Sequence, residues 1–148
     1  MEYWDIYDDN RNKTGRTILR SDRDKLGDNE NHVAIHVAFF NSKDEMLLQR
    51  RSLTKADDPG KWDFSSRGSI LVSETPQDGA HRETLEELGI DYDFSNIKPM
   101  FTKKYPNVFD DFFIVNLDKV IELINDNNFA INNIDFMKNI FELHQNSK

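Results

Sequence analysis

The chain has 148 residues, 27 acidic side chains against 19 basic ones, a formal charge of −8 and no cysteine. That length suits one domain, because a chain of ~150 residues buries about 70% of its unfolded surface, and 37% apolar residues with eleven Phe suffice for a core. The missing cysteine excludes a disulfide framework, a zinc ribbon, an iron–sulfur site and a thiol nucleophile, and the acidity argues against a nucleic-acid groove.

The first residues, Met1 to Arg11, are polar and acidic, unlike a secretory leader, and no apolar run reaches the ~18 residues a membrane span needs. The expectation is a cytoplasmic protein. Turn chemistry at Lys13-Thr14-Gly15 and Leu26-Gly27-Asp28 punctuates a polar N-terminal stretch. A period-two strand follows, with Val33, Ile35, Val37 and Phe39 on one face and His32, Ala34, His36, Ala38 and Phe40 on the other. Apolar and aromatic residues on both faces predict a strand covered on both sides, as in a layered α/β protein.

Asn41-Ser42-Lys43-Asp44 predicts a hairpin into Met46-Leu47-Leu48, and a loop with Asp58-Pro59-Gly60 leads to a short strand at Trp62-Asp63-Phe64. Residues 76–88 read as a helix, with Thr75 at the N-cap, Pro76 in the first turn and Gly89 as the stop. Strands are expected from Met100 to Tyr105 and from Phe109 to Leu117. Two amphipathic helices, about 118–125 and 134–145, close the chain. No linker, repeat or charge block divides it, so residues 1–148 read as a single domain.

The chemistry concentrates in one segment. Four of the nine Glu lie within residues 74–87. On a helical wheel Glu83, Glu86 and Glu87 share one face, while Ala80, His81, Thr84, Leu85 and Leu88 fall on the core side. Three like charges one turn apart destabilise an isolated helix, so the face is either a solvated surface or a cation site. Hard oxygen donors suit Mg²⁺ or Mn²⁺.

Read outward, the segment is Gly68, five residues, Glu74, seven residues, Arg82-Glu83, two residues, Glu86-Glu87, one residue, Gly89-Ile90. It resembles the Nudix box, residues 68–90, and departs only where Thr84 stands in an aliphatic slot. The resemblance implies an α/β/α sandwich around a mixed sheet and hydrolysis of a diphosphate linkage, often of a nucleoside diphosphate derivative. It further implies that Glu83, Glu86 and Glu87 bind the metal with the Gly68 carbonyl. Glu83 is then a candidate base, with Arg82 orienting carboxylates through a bidentate pairing to Glu74.

Trp4-Asp5-Ile6-Tyr7-Asp8, Asn10 to Thr17 and Leu48-Gln49-Arg50-Arg51-Ser52 with Trp62-Asp63 resemble the branch related to isopentenyl diphosphate isomerase. The isomerase uses a cysteine and a histidine-rich metal site; here there is no cysteine, and Ser69 stands where that enzyme places a ligand histidine. A hydrolase is therefore favoured over the isomerase. The remaining alternative is a Nudix domain kept as a ligand-binding or regulatory module. Relatives of the branch carry an acidic loop after the last strand, and here Asn116-Leu117 runs almost directly into the expected helix at 118.

Further candidates follow from alternation and position. Arg51 is a candidate phosphate contact, because Arg50 and Arg51 point to opposite faces of a strand. Asp111, with Asp110, is a candidate for the cleft, against the alternative of an exposed turn. His32 and His36 share a strand face but lie about 13 Å apart, too far for one ion, and read as partly buried sheet residues. The expected partner is a small phosphoanhydride substrate, with no nucleic acid and no membrane. The sequence leaves a homodimer open.

Overall fold

The alternating residues 32–40 form the central strand β3 (His32–Phe40). In the computed structural model, which describes residues 1–41, 46–50 and 62–116 (Arg50 and Trp62 by backbone alone), β3 follows a hairpin of β1 (Tyr3–Tyr7) and β2 (Lys13–Leu19). A 3₁₀ turn, Arg20–Lys25, separates that hairpin from β3. The chain continues through β4 (Gln49–Arg50), β5 (Trp62–Asp63), β6 (Ser66–Ser69), helix α1 (Pro76–Leu88), β7 (Phe101–Tyr105) and β8 (Val108–Asn116). The expected helices at 118–125 and 134–145 lie outside the described residues.

Four strands make a mixed sheet in the order β6-β3-β8-β7, in which β3 and β8 are parallel and the other neighbours antiparallel. Side chains directly opposite each other share a face. Register pairs Ile35 with Gly68 and with Asp111, so Val33, Ile35, Val37, Ser66, Gly68, Asp111 and Phe113 face one way. His36 is in register with Arg67 and with Phe112, and Phe112 with Phe101, which places these four on the opposite face.

The first face carries α1 and the main core, in which Val33, Ile35, Val37, Phe39, Ala80, Leu88, Phe94 and Phe113 are buried together. Gly79 makes the close approach possible, since a Cβ there would sit 2.5 Å from Ile70 Cγ2. Both faces of β3 are covered, as the sequence predicts: Val37 and Phe39 are fully buried on one side, Ala38 and Phe40 nearly so on the other.

Three local expectations are corrected. Lys13, Thr14 and Gly15 lie inside β2, and the turn comes earlier. Asp8 closes it by accepting the amides of Asn10 and Asn12 on Oδ1, while its own amide donates to the Asn12 carbonyl. A side chain that caps its own turn outcompetes a generic Gly signal. On α1, Leu85 is 44% exposed and His81 faces outward to pair with Asp91 at 2.7 Å, because the helix buries the face that carries Gly79, Ala80, Glu83, Thr84 and Leu88. Asp110 and Asp111 form no exposed turn: both are buried within β8. The hairpin after Phe40 agrees with the bridge between Phe40 and Met46, its tip lying outside the described residues.

Candidate active site

Local chemistry sets α1 in place. The Thr75 hydroxyl accepts the Asp78 amide at 3.1 Å and the Asp78 carboxylate accepts the Thr75 amide at 3.0 Å, a reciprocal cap worth ~1 kcal/mol. Gly89 ends the helix at φ 70°, in the left-handed region that glycine adopts without strain. From there Thr84 explains its own departure from an aliphatic residue. It is fully buried, and its hydroxyl meets the Ser66 hydroxyl of β6 at 2.8 Å, so the slot pairs two polar groups instead of packing two apolar ones.

One residue earlier Glu83 points down at Gly68. A Cβ on Gly68 would lie 2.3 Å from the Glu83 carboxylate, so the glycine supplies the space that the carboxylate fills. Glu83 is 6% exposed. Burial, aided by a hydrogen bond with Glu87, pushes its pKa up to about 7 against the opposing charge of Arg82. Glu87 is held in turn by Gln49, whose side-chain amide donates to it, and by the Arg67 amide at 3.3 Å. Glu86 is the exposed member of the set, its side chain 59% accessible.

Arg82 organises the group. Its Nε and Nη2 grip the two oxygens of Glu74 at 2.8 and 3.0 Å, Nη1 meets Glu83 at 2.7 Å, and Nη2 also reaches the Ser69 carbonyl at 3.0 Å. Its contact with Glu86 is longer, 3.4 Å. Although burial works against its charge, the bonds to Glu74 and Glu83 hold the guanidinium above its ordinary pKa. Glu74 further accepts the Leu71 amide at 2.6 Å, which ties the loop before the helix to the same hub.

The donor set fits a divalent cation. Its atoms are hard carboxylate oxygens, two of the three carboxylates touch in a buried setting, and the absence of a side chain on Gly68 leaves the room that the Glu83 carboxylate occupies against the β6 backbone. Among the described residues no three His, Asp or Glu side chains already converge in ligating geometry. Glu83 and Glu87 instead satisfy each other, an arrangement that a cation would replace.

The structure brings Gly68, Glu74, Arg82, Glu83, Glu86 and Glu87 together. It places Asp111 two strands from Gly68 in the sheet, fully buried, where Arg11 grips it through both terminal nitrogens and Thr102 donates to it at 2.6 Å. Arg51 lies outside the described residues. His32 is buried and stacked on Trp4 with ring centroids 4.0 Å apart; His36, on the same face, bonds Asp110. Gln49 was missed by the sequence reading. A strand of two residues, Gln49–Arg50, has too little pattern to say which face meets α1.

A family model of the NUDIX domain matches residues 30–131. A protein of Listeria monocytogenes described as an uncharacterized Nudix hydrolase is 42% identical over 80% of this chain and 69% of its own length. More distantly, an isopentenyl-diphosphate Delta-isomerase of Photorhabdus laumondii is 31% identical over 60% of this chain and 58% of its own. The crystal structure of DR0079 from Deinococcus radiodurans shares the fold with a TM-score of 0.66 and 23% identity, covering 79% of this chain and 73% of that one.

Proposed function

Because this chain belongs to the Nudix family and is one of its hydrolases, we propose that it cleaves the diphosphate linkage of a small phosphoanhydride substrate. Enzymes of the family use a divalent metal. In this chain Glu83, Glu86, Glu87 and the Gly68 carbonyl would hold it, with Mg²⁺ or Mn²⁺ suiting the oxygen donors. The observation that carries the reading is the buried carboxylate of Glu83, which fills the space above Gly68, meets Glu87 and is bonded to Arg82.

A diphosphate repels an incoming water and leaves as a charged group, so the barrier is electrostatic and geometric. A divalent cation held there would supply charge neutralisation and a more acidic water. The residues of the chain do the rest. Arg82, bonded at once to Glu74, Glu83 and the Ser69 carbonyl, fixes where the carboxylates stand. Glu83, buried above Gly68 and bonded to Arg82, is the carboxylate placed to accept the proton that water loses as its oxygen attacks phosphorus. The P–O bond of the linkage then breaks, and the electron pair leaves with the departing phosphate. The missing cysteine separates this chemistry from that of the isomerase relatives.

The test is a panel of nucleoside diphosphate derivatives, dinucleoside polyphosphates and prenyl diphosphates, assayed for phosphate release with Mg²⁺. Turnover that falls at least ~10²-fold in kcat in Glu86→Gln or Glu87→Gln supports the reading. Unchanged kcat in both variants removes the metal assignment. Tight binding of one compound without turnover of any replaces hydrolysis with a ligand-binding role.

A further inference from the structure

Glu87 stands where a carboxylate is poorly accommodated. It is the last residue but one of α1, at the negative end of the helix dipole, and the last turn holds no basic residue. It also lies one turn from Glu83 and meets that carboxylate. A side chain so placed gains by turning out to solvent, as Glu86 does with 59% of its side chain accessible. The contacts of Arg82 go to Glu74, Glu83, the Ser69 carbonyl and, at 3.4 Å, Glu86.

Two uncharged donors hold Glu87 in. The side-chain amide of Gln49 on β4 donates to one oxygen, and the Arg67 amide of β6 donates to the other at 3.3 Å. These donors are braced against each other. Gln49 is paired with Asp63 across the β4–β5 ribbon, so the two side chains leave the same face. The Asp63 carboxylate in turn binds Arg67 Nε at 2.5 Å. Gln49, Glu87, Arg67 and Asp63 thus close a ring that ties the ribbon and β6 to the last turn of α1. The neutrality of the Gln49 amide matters. It orients the carboxylate and leaves its negative charge in place, whereas a lysine there would neutralise that charge and oppose an arriving cation. Each Glu87 oxygen accepts one of these bonds and keeps a second lone pair.

We propose that Gln49 is a positioning residue for metal binding: its uncharged amide, braced through Asp63 and Arg67, keeps the Glu87 carboxylate turned in beside Glu83 and available to a divalent cation. Gln49 lies outside the motif at residues 68–90, on a separate strand. The inference rests on the metal assignment of Glu83, Glu86 and Glu87 and deepens it, and it does not depend on which substrate is cleaved.

The experiment measures Mn²⁺ binding to the metal-free protein by calorimetry for wild type, Gln49→Leu, Gln49→Lys, Glu87→Gln and the double variant Gln49→Leu/Glu87→Gln, with thermal melts of each in the absence of metal. Gln49→Leu is expected to weaken Mn²⁺ binding ~10-fold or more, with a metal-free melting temperature within about 4 °C of wild type. Gln49→Lys, which still donates, is expected to bind Mn²⁺ no better than Gln49→Leu, because its ammonium repels the ion. In the Glu87→Gln background the further change Gln49→Leu is expected to alter affinity by less than ~3-fold, since the carboxylate it orients is gone. Unchanged affinity in Gln49→Leu, wild-type affinity in Gln49→Lys, or the same loss in both backgrounds overturns the proposal and leaves the metal site standing. A metal-free Gln49→Leu protein that melts below that margin makes Gln49 a structural residue and overturns it as well. Wild type that binds no Mn²⁺ removes the metal assignment itself, and the proposal with it.

Discussion

Arg11 and Asp111, one hundred positions apart, form a bidentate ion pair that ties the tip of the N-terminal hairpin to the middle of the sheet. The Asp111 side chain is 1% accessible and that of Arg11 33%, so one carboxylate without solvent depends on one guanidinium that keeps some. Arg11 also lies over the Phe109 ring at 5.6 Å. It does this from φ 63°, a conformation that costs a non-glycine residue ~1 kcal/mol.

Removing the guanidinium leaves a buried charge with only Thr102 and no counterion. Arg11→Ala is expected to cost ~2–4 kcal/mol by urea unfolding, below the upper range for buried pairs because Arg11 is partly solvated. Arg11→Gly loses the same pair but relaxes the backbone, and is expected to be ~1 kcal/mol less destabilising than Arg11→Ala. The double variant Arg11→Met/Asp111→Leu should regain most of the loss. A double variant as unstable as Arg11→Ala would show that the pair itself, not the stranded charge, holds the hairpin.

Gly68→Ala tests the space above β6. Its Cβ would lie 2.3 Å from the Glu83 carboxylate, which is the movable end of a side chain, so the fold adapts at a cost of under ~1 kcal/mol. The carboxylate does not keep its position. Phosphate release is expected to fall ~10-fold or more, with the melting temperature shifted by only a few degrees. Full activity would mean that the placement of Glu83 over Gly68 is unimportant.

Arg82→Lys keeps the charge and loses the fork. A lysine cannot grip both oxygens of Glu74 and also reach Glu83 and the Ser69 carbonyl. The expected outcome is a ~10- to 100-fold weaker apparent Mg²⁺ activation with the fold retained, measured by metal titration of activity and of melting temperature. A wild-type metal response in the variant would reduce Arg82 to an ordinary ion pair.

His32 gives the fold an acid-sensitive point. Burial, with the charges of Arg23 and Arg20, pushes its pKa down to about 4. The unfolded residue protonates near pH 6.5, so between pH 6.5 and 4 the unfolded state binds more protons and stability falls as pH falls. Above pH 6.5 neither state is charged and His32 contributes no slope. At pH 5 its share of the loss is about 2 kcal/mol. His32→Phe retains a ring against Trp4 and should flatten that part of the urea-measured profile, whereas an unaltered slope would assign the acid sensitivity to carboxylates.

Much of the site was legible without coordinates because it is local. Helix caps, wheel angles and the spacing of Glu83, Glu86 and Glu87 follow from 3.6 residues per turn, and the loop that delivers Gly68 and Glu74 is only a few residues away in sequence. The expected pairing of Arg82 with Glu74 spans eight positions. Burial was less legible. The wheel put Leu85 inside and Glu83 on a charged face, and the sheet reversed both because the helix axis sits close over Gly68, Ser66 and Ile70.

Composition, with its acidic excess and lack of cysteine, argued against a nucleic-acid groove and excluded thiol chemistry, and one motif with fixed spacing carried the resemblance to the Nudix box. Those readings need only covalent order, helix geometry and the resemblance of one motif to a known family. The tertiary structure alone decided that Asp111 belongs to Arg11, that Gln49 steadies Glu87, and that His36, Phe112 and Phe101 stand as one stack. Each of these depends on strand register. Register is set by which residues of distant segments hydrogen-bond across the sheet, and a single sequence does not carry that pairing in its periodicity.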